Sequence, residues 1–498
     1  MKKLFPFFTI LILLTATLPS KACYTIAAGK KTTVDGSVLF GHNEDDGGQR
    51  LFNFWRVPRI NHEPGEVVHL KNGGTTPQVP VTWAYRWIES VNQVFSDYYI
   101  NEWGVAVASN ACPAVKDKLD LTDGGIGFML RRIIAQRAKT AREGVEIAGK
   151  LLDHFGYAAY GRTLSIADPN ETWLLAMIGG KHWVAERVPD DKVVLQANIF
   201  IIREVNFNDH QNFITSKDNV RDYAVRRGLY DPKSGKPFDF AYTFNRGGSR
   251  KFLDRGYDTR QWRGQQLLSG KTTTVAEGRR HGLPFAVTPN RKLTISDLTA
   301  VLRDHYEGTP YDVTRDKKGN PNNAGERTIC TKTTQHSTVA QLRSELPREI
   351  GNVLWLSFGR PDVNTYVPFY LGASDIPSSY HFVPEKITWE NSFKYHFNPL
   401  PGTFAYQPDR AYWIFNDLEN LMGLNYYGTI GEIRRTWGQQ EKDAFGYQPA
   451  LESAAYDLFK TNKPLLIRFL TDYSNSRAQK ALRTTVKLTR NIKGEVYQ

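Results

Sequence analysis

The sequence contains little cysteine and few long apolar runs. Cys23, Cys112 and Cys330 are its only cysteines, which excludes a disulfide-dense scaffold but leaves one Cys112–Cys330 bridge open. Beyond the apolar run at residues 4–18, no stretch is long enough to cross a bilayer, so we expect no membrane span in the mature chain. Internal repeats and low-complexity tracts are also lacking. A chain of 498 residues can therefore bury a large core and still carry an extension.

Charge and histidine content exclude further classes of protein. The formal net charge is +13, but the basic residues are interspersed with acidic ones along the chain. Such mixing is weak support for nucleic-acid binding, and we predict no nucleic-acid partner. His281, His305 and His336 are scattered without the spacing of a metal site, so we predict no catalytic metal and no cofactor. The oligomeric state stays open, a homo-oligomer included.

The first 22 residues have the pattern of a secretory signal peptide. Lys2 and Lys3 precede the apolar run, and Ser20 and Ala22 supply small residues at the positions that signal peptidase reads. Cleavage after Ala22 would make Cys23 the mature N-terminus, so that a thiol and a free α-amine share one residue. We therefore expect an exported protein, periplasmic or extracellular. The alternative is acylation of Cys23 in a lipoprotein, but Ser20 stands where an aliphatic residue is expected, and acylation consumes the thiol.

Two β-prone runs follow this cysteine, at residues 23–29 and 37–43, with Asp35 and Gly36 as a hairpin-turn signal between them. If these two residues form the centre of the turn, Cys23 lies opposite the neighbourhood of Gly48. Asp45 then lies within a few residues of Cys23, which places an acidic side chain near the new α-ammonium group. The alternative interpretation of the acidic run at residues 42–46 is a solvated loop.

The remaining pattern predicts a layered α+β architecture. Residues 98–110 are typical of two strands around a turn, 125–154 of two helices with Thr140 and Glu143 as a capping box, and 162–198 of a four-stranded antiparallel meander. Residues 308–325 predict a long surface loop. Short helices are predicted at 417–424, 451–459 and 464–478. We divide the chain into a signal peptide (1–22), a main domain (23–378) and a mostly helical C-terminal extension (379–498).

Several motifs occur in a fixed order along the main domain. They are CYTIAAGK at 23–30, GHNED at 41–45, NEWGV at 101–105, HWVAERVPDD at 182–191, YDTRQWR at 257–263 and TQHSTV at 334–339. This set resembles the dipeptidase A and secernin family of N-terminal-nucleophile hydrolases, which is related to choloylglycine hydrolase and penicillin V acylase. The resemblance covers most of residues 23–377. It implies a four-layer αββα sandwich and hydrolysis of short peptides or related amides.

Amide hydrolysis needs a nucleophile, a base and donors for the oxyanion, and an N-terminal cysteine supplies the first two. An α-amine titrates near about pH 8 and a thiol near about 8.5, so the amine can relay the thiol proton. The resemblance implies that Asp45 holds this amine, that Asn198 donates to the oxyanion, and that Arg260 lies near the nucleophile and favours the thiolate. Asn110 is a weaker candidate for a second oxyanion contact.

The sequence departs from the related amidases at one position of this motif. Bile-salt and penicillin amidases carry Arg-Asn-x-Asp where this chain has His42 to Asp45, so specificity near the amine is expected to differ. We count His42 and Asn110 as substrate-binding candidates, although a packed histidine is the commoner case. Glu44 and Asp46 could bind a substrate amine, but a solvated role is the more usual one.

Three functions follow from these observations. The leading one is a secreted cysteine dipeptidase with Cys23 as nucleophile. The second is an amidase that acts on acyl-amino acids, bile salts or lactams. The third is a non-catalytic exported binding protein or lipoprotein.

Overall fold

The computed structural model describes residues 23–46, 50–94, 96–245, 258–271, 273–315, 319–323, 327–381 and 387–496. The signal peptide predicted for residues 1–22 therefore lies outside the described residues.

One antiparallel sheet of seven strands contains the segment that begins after Cys23. Its strands, in spatial order, are β16 (Ala286–Val287), β14 (Val193–Gln196), β1 (Tyr24–Ala28), β2 (Val38–Asp45), β17 (Thr334–Leu342), β18 (Asn352–Ser357) and β19 (Tyr366–Tyr370). Strand β1 is central in this sheet, with β14 on one side and β2 on the other. Two neighbouring strands can thus bring side chains to the start of β1.

A second antiparallel sheet has eight strands. They are, in spatial order, β15 (Phe213–Thr215), β13 (His182–Arg187), β12 (Thr172–Gly179), β11 (Arg162–Ala167), β10 (Ala106–Ala111), β9 (Tyr98–Asn101), β8 (Tyr85–Ser90) and β3 (Phe52–Val57). Two short ladders join β4 (Ile60–Asn61) to β7 (Val81–Thr82), and β5 (Val67–His69) to β6 (Thr75–Pro77). The predicted turn between β9 and β10 is present, with Gly104 at a positive φ of 84°.

Twelve α-helices lie in the described part of the chain. They are α1 (Met129–Arg137), α2 (Ala141–Phe155), α3 (Val220–Arg226), α4 (Phe240–Phe244), α5 (Thr259–Ser269), α6 (Val275–His281), α7 (Ile295–Leu302), α8 (Arg348–Gly351), α9 (Trp389–His396), α10 (Ala411–Met422), α11 (Tyr426–Thr461) and α12 (Lys463–Val496). As expected, Thr140 caps α2 by accepting a hydrogen bond from the Glu143 N–H.

These elements form four layers, which confirms the predicted α+β sandwich. Helices α1 and α2 cover the outer face of the eight-stranded sheet, and α5 and α7 cover the seven-stranded sheet. Between the sheets, buried side chains from both of them pack together, among them Phe40, Phe54, Ile88 and Phe369. Alternation along each strand explains this arrangement, since successive side chains face the two sides of a sheet. A polar side chain on the inner face of either sheet is therefore shielded from water.

The meander predicted for residues 162–198 is divided between the two sheets. Strands β11, β12 and β13 are consecutive neighbours in the eight-stranded sheet. Strand β14 instead crosses to the other sheet and pairs with β1. The strand pattern in a sequence does not show which sheet receives a strand, so this crossing was not predicted. It brings the end of β14 next to the start of β1.

The C-terminal extension is more helical than expected. Helices α11 and α12 have 36 and 34 residues, whereas the sequence predicted three short helices there. Pro449 lies inside α11 and interrupted the helical pattern of the sequence. Strand β19 ends before these helices begin, but the division at residue 378 stays a prediction. Within the described residues we find no helix with the length and apolarity needed to span a membrane.

Candidate active site

Cys23 immediately precedes β1, and its position relative to β2 differs from the sequence prediction. Tyr24 pairs with Asn43, so Cys23 lies opposite Glu44 rather than near Gly48. The predicted register was wrong because the connection spans residues 29–37 and includes a 3-10 turn at Lys30–Thr32. A two-residue turn at Asp35 and Gly36 would have paired the strands differently. Gly48 itself lies outside the described residues.

The thiol of Cys23 is buried, with 3% of the residue exposed. Its Sγ donates a hydrogen bond to Glu44 Oε1 at 3.1 Å and lies 3.8 Å from the backbone oxygen of Asp45. Burial raises the pKa of this thiol well above its ordinary value, and the nearby Glu44 and Asp45 carboxyl groups raise it further. Cys23 is therefore protonated in this environment and needs a base or a compensating positive charge before it can act as a nucleophile.

Asp45 ends strand β2 next to this cysteine. Its Oδ1 accepts a hydrogen bond from Thr334 Oγ1 at 2.5 Å, whereas Oδ2 is buried with no hydrogen-bond partner in the described part of the chain. Burial raises the pKa of Asp45 to about 7, against the opposing charges of Arg327 and Arg260. A buried carboxyl oxygen without a donor is costly, so this position is suited to receive a cationic donor.

Asn198 follows the other neighbour of β1. Gln196 pairs with Thr25, and Asn198 lies two residues beyond this pair, on the side of Cys23. The Asn198 amide donates from Nδ2 to the Ala111 backbone oxygen at 2.9 Å. Its Oδ1 accepts from Nη1 of Arg260 at 3.0 Å. Arg260 is buried and forms a bidentate pair with Asp258, so its guanidinium holds the Asn198 amide in one orientation.

His42 and Asn110 belong to one buried network that links the two sheets. Thr25 Oγ1 lies 2.8 Å from His42 Nδ1 and donates to Asn110 Oδ1 at 2.8 Å. Asn110 in turn donates from Nδ2 to the Gln196 backbone oxygen at 3.2 Å. Burial lowers the pKa of His42 to about 3, with a further contribution from the charge of Arg131. The imidazole is therefore neutral, and it positions its neighbours through hydrogen bonds.

Glu44 and two arginines are residues of the site whose position the sequence did not reveal. Glu44 is 1% exposed and contacts both Cys23 and His42, whereas a solvated role had been the more usual expectation. Arg131 and Arg162 are buried nearby, and each donates from Nη1 to Ser109 Oγ. The alternation of a strand provides the missing signal, since it places residues 42 and 44 on one face of β2.

Two groups in the described residues carry donor atoms close enough to share an ion. One is Cys23, His42 and Glu44, and the other is His305, Cys330 and Asp362. In the first group Glu44 is hydrogen-bonded to both Cys23 and His42. All three cysteines of the chain are free, so Cys112 and Cys330 do not form the bridge that the sequence left open.

The model of peptidase family C69 matches residues 22–439, which is most of the chain. The chain belongs to peptidase family C69. This confirms the resemblance seen in the ordered motifs, and it makes the protein a peptidase, an enzyme of the hydrolase class that acts on peptide substrates.

Similar proteins come from several bacteria. A probable dipeptidase of Latilactobacillus sakei is 30% identical over 403 residues, covering 77% of this chain and 81% of that protein. Probable dipeptidase B of Lactococcus lactis subsp. lactis is 28% identical over 481 residues, covering 90% and 95%. A dipeptidase of Bifidobacterium longum is 29% identical over 412 residues, covering 75% of each chain. Among solved structures, a conjugated bile acid hydrolase of Clostridium perfringens is similar at 12% identity and a TM-score of 0.36, covering 70% of this chain and 91% of that one.

Proposed function

We propose that this C69 peptidase is an exported cysteine dipeptidase, which hydrolyses dipeptides or short peptides through a thioester on Cys23. The observation that carries the proposal is the buried Cys23 beside Asp45, whose Oδ2 is buried and unpartnered in the described part of the chain. The α-amino group of a mature N-terminal Cys23 would supply the donor that this oxygen lacks, and it becomes cationic when it takes the thiol proton. The dipeptidase names of the relatives support dipeptides as the substrate class.

In the first half of the reaction, the α-amine of Cys23 takes the thiol proton while Sγ attacks the scissile carbonyl carbon. A C–S bond forms, and the carbonyl electron pair moves onto oxygen, where the Asn198 amide donates a hydrogen bond. The resulting α-ammonium, held by Asp45, returns its proton to the leaving nitrogen. The C–N bond then breaks, the amine product leaves, and the acyl group remains on sulfur as a thioester.

In the second half, water attacks the thioester carbon while the α-amine accepts a proton from it. A C–O bond forms, the C–S bond breaks, and the thiolate regains its proton from the α-ammonium. The orientation of the Asn198 amide, fixed by Arg260, serves both tetrahedral intermediates. The same four residues therefore act in acylation and in deacylation.

The experiment that tests this proposal combines protein chemistry with turnover. Intact mass and N-terminal sequencing of the exported protein are expected to show an unmodified Cys23 terminus that takes one equivalent of a thiol-reactive dipeptide analogue. The Cys23→Ala variant is expected to take none, whereas Cys330→Ala, at a cysteine outside the site, is expected to label normally. An acylated Cys23 or an uncleaved leader would contradict the mechanism.

A substrate panel separates the two enzymatic functions. Dipeptides are compared with acyl-amino acids, conjugated bile salts and lactams. Higher kcat/KM on the acyl amides than on any dipeptide would favour the amidase over the dipeptidase. No turnover by a correctly processed protein would exclude both.

A further inference from the structure

Glu44 occupies the position opposite the nucleophile, on the face of β2 that points into the space between the sheets. Its Oε1 is 3.1 Å from Cys23 Sγ, and its Oε2 is 3.1 Å from His42 Nε2. The mechanism above uses Asp45 for the α-amine of the enzyme, and it leaves Glu44 without a role. A second buried carboxyl group in contact with the nucleophile requires a functional explanation, because burial of such a group is costly.

The hydrogen-bond network defines where the protons of the empty site lie. Asn110 uses its amide nitrogen on Gln196, so its oxygen accepts the Thr25 hydroxyl proton. Thr25 must then accept at 2.8 Å from a proton on His42 Nδ1. A neutral imidazole with a proton on Nδ1 has none on Nε2, so Glu44 Oε2 is the donor to His42.

Glu44 is therefore a neutral carboxylic acid when no ligand is present. Burial raises its pKa to about 8, although the charges of Arg131 and Arg162 act in the opposite direction. Its Oε1 accepts the Cys23 thiol proton and its Oε2 holds the acid proton. This arrangement keeps the thiol protonated and the site uncharged until a ligand arrives.

A dipeptide that is positioned for attack by Cys23 can place its α-nitrogen next to Glu44 Oε1. In every α-amino acyl group the α-nitrogen lies about 2.5 Å from the carbonyl carbon. A sulfur poised for attack lies roughly 3–3.5 Å from that carbon. Since Oε1 is 3.1 Å from Sγ, an acyl group placed for attack on its carbonyl can also bring its nitrogen within hydrogen-bonding distance of Oε1.

We propose that the Glu44 carboxylate binds the α-ammonium group of the substrate and thereby selects peptides with a free amino terminus. The inference rests on the proposed function, since it requires Cys23 as the nucleophile. Asp45 then pairs with the α-ammonium group of the enzyme, and Glu44 pairs with that of the substrate. An acyl amide without an α-amine cannot form the second pair.

The proton balance of this binding step follows from the empty site. When the ammonium form binds, the acid proton of Glu44 leaves to solvent, the hydrogen bond that it made to His42 Nε2 is lost, and an ammonium–carboxylate pair forms. When the neutral amine binds, the same proton moves from Glu44 Oε2 to the nitrogen, so that an O–H bond breaks and an N–H bond forms. Binding of the ammonium form at neutral pH thus releases one proton.

The bound ammonium keeps the charge next to the nucleophile balanced. Glu44 is ionised only when the ammonium is present, so the positive charge of the substrate offsets the negative charge that would oppose thiolate formation. Recognition of the amino terminus therefore places no uncompensated negative charge beside Sγ.

Glu44→Gln is the sharpest variant for a test. Glutamine reproduces the hydrogen bonds of the neutral acid, because its Nε2 donates to His42 and its Oε1 accepts from Cys23. The empty site is thereby preserved, and only the capacity to carry a negative charge is lost. Glu390→Gln is the matched control, since it makes the same substitution at an exposed glutamate of α9.

The substrates are alanyl-alanine and propionyl-alanine, which differ only by the α-amine. We expect the wild type to prefer alanyl-alanine, and Glu44→Gln to reduce kcat/KM on alanyl-alanine by roughly 10- to 100-fold with little change on propionyl-alanine. Glu390→Gln is expected to keep the wild-type preference. An equal loss on both substrates, or an unchanged preference in Glu44→Gln, would overturn the proposal.

Calorimetry gives a readout that does not depend on turnover. Alanyl-alanine is titrated at pH 7 into Cys23→Ala in buffers of different ionisation enthalpy. We expect release of about one proton on binding, and none in Cys23→Ala/Glu44→Gln. Equal proton release in both proteins would overturn the role of Glu44. Failure of Cys23 to label or of the enzyme to turn over any amide would instead overturn the proposed function, so the two failures are distinguishable.

Discussion

Arg260 donates from Nη1 to Oδ1 of Asn198 at 3.0 Å, and this single contact determines which end of the Asn198 amide is available as a donor. The nitrogen end faces Ala111 and retains a second N–H. The arginine thus acts on the proposed oxyanion donor, in addition to contributing positive charge near the nucleophile.

Asn198→Ala is expected to reduce kcat on dipeptides by about 100-fold or more, because it removes a donor to the oxyanion. KM is expected to change little, since the contact strengthens only in the transition state. Steady-state kinetics on one dipeptide check both parameters. A large rise in KM with an unchanged kcat would assign Asn198 to ground-state binding.

Arg260→Lys is expected to lower kcat, because an ammonium group cannot hold both Asp258 and Asn198 in the bidentate geometry of the guanidinium. Its effect is expected to overlap with that of Asn198→Ala, so that the double variant loses less than the product of the two single losses. A double-mutant cycle on kcat/KM measures this coupling. Fully multiplicative effects would show that the two residues act independently.

Asp45→Asn is expected to reduce kcat/KM at pH 7 by at least about tenfold, because a neutral amide holds the α-ammonium of Cys23 less strongly than a carboxylate. N-terminal sequencing of the variant establishes that its leader has been removed. A processed Asp45→Asn protein with wild-type kinetics would remove Asp45 from the mechanism.

The Glu44→Gln substitution is also expected to change how the free energy of unfolding depends on pH. The folded-state pKa of Glu44 is about 8, above that of an unfolded-state carboxyl group, so the folded state binds the extra proton. This contribution to stability is fully present below the unfolded-state pKa of about 4.3 and is lost as the pH rises through about 8. Relative to the wild type, we expect the substrate-free variant to gain about 1 kcal/mol or more between pH 5 and pH 8.5.

Urea unfolding at both pH values gives this difference in the free energy of unfolding. Glu390→Gln, at an exposed glutamate of α9, serves again as the control. A difference between wild type and Glu44→Gln that does not vary with pH would mean that Glu44 is already ionised in the empty site.

The C-terminal helices are expected to stabilise the sheet that carries the site. Glu441 of α11 is buried and accepts hydrogen bonds from Arg303 and from the backbone N–H of Tyr366 in β19. Glu441→Ala leaves the Arg303 charge without its partner and is expected to lower the free energy of unfolding by about 3–5 kcal/mol. Asp457→Asn, at an exposed position of the same helix, is expected to change it by less than about 0.5 kcal/mol. Urea unfolding compares the two variants.

Local signals in the sequence predicted much of the fold. The turn at residues 101–104, the helix capped by Thr140 and the strands β11 to β13 each depend on residues within one short segment. The crossing of β14 and the register of β1 with β2 depend on tertiary packing and on the path of a nine-residue connection, which turn chemistry alone does not determine.

In the candidate site too, local sequence signals were predictive and contacts made by tertiary packing were not. Cys23 and Asp45 were placed near each other because they lie close to one hairpin, and the structure keeps them close. The role of Glu44 was missed, because an acidic run in a sequence does not reveal whether its side chains face solvent or a second sheet. Only the assembled layers place Glu44 between the nucleophile and His42.

The position of Cys23 directly before a central strand has a practical consequence for anyone who produces the enzyme. In the proposed mechanism, any residue left ahead of Cys23 by an affinity tag or an incompletely removed fusion converts the base into a peptide amide and yields folded, inactive material. Purification handles therefore belong after α12, which is far along the chain from the nucleophile. Recombinant material made without export needs a protease that leaves cysteine as the first residue.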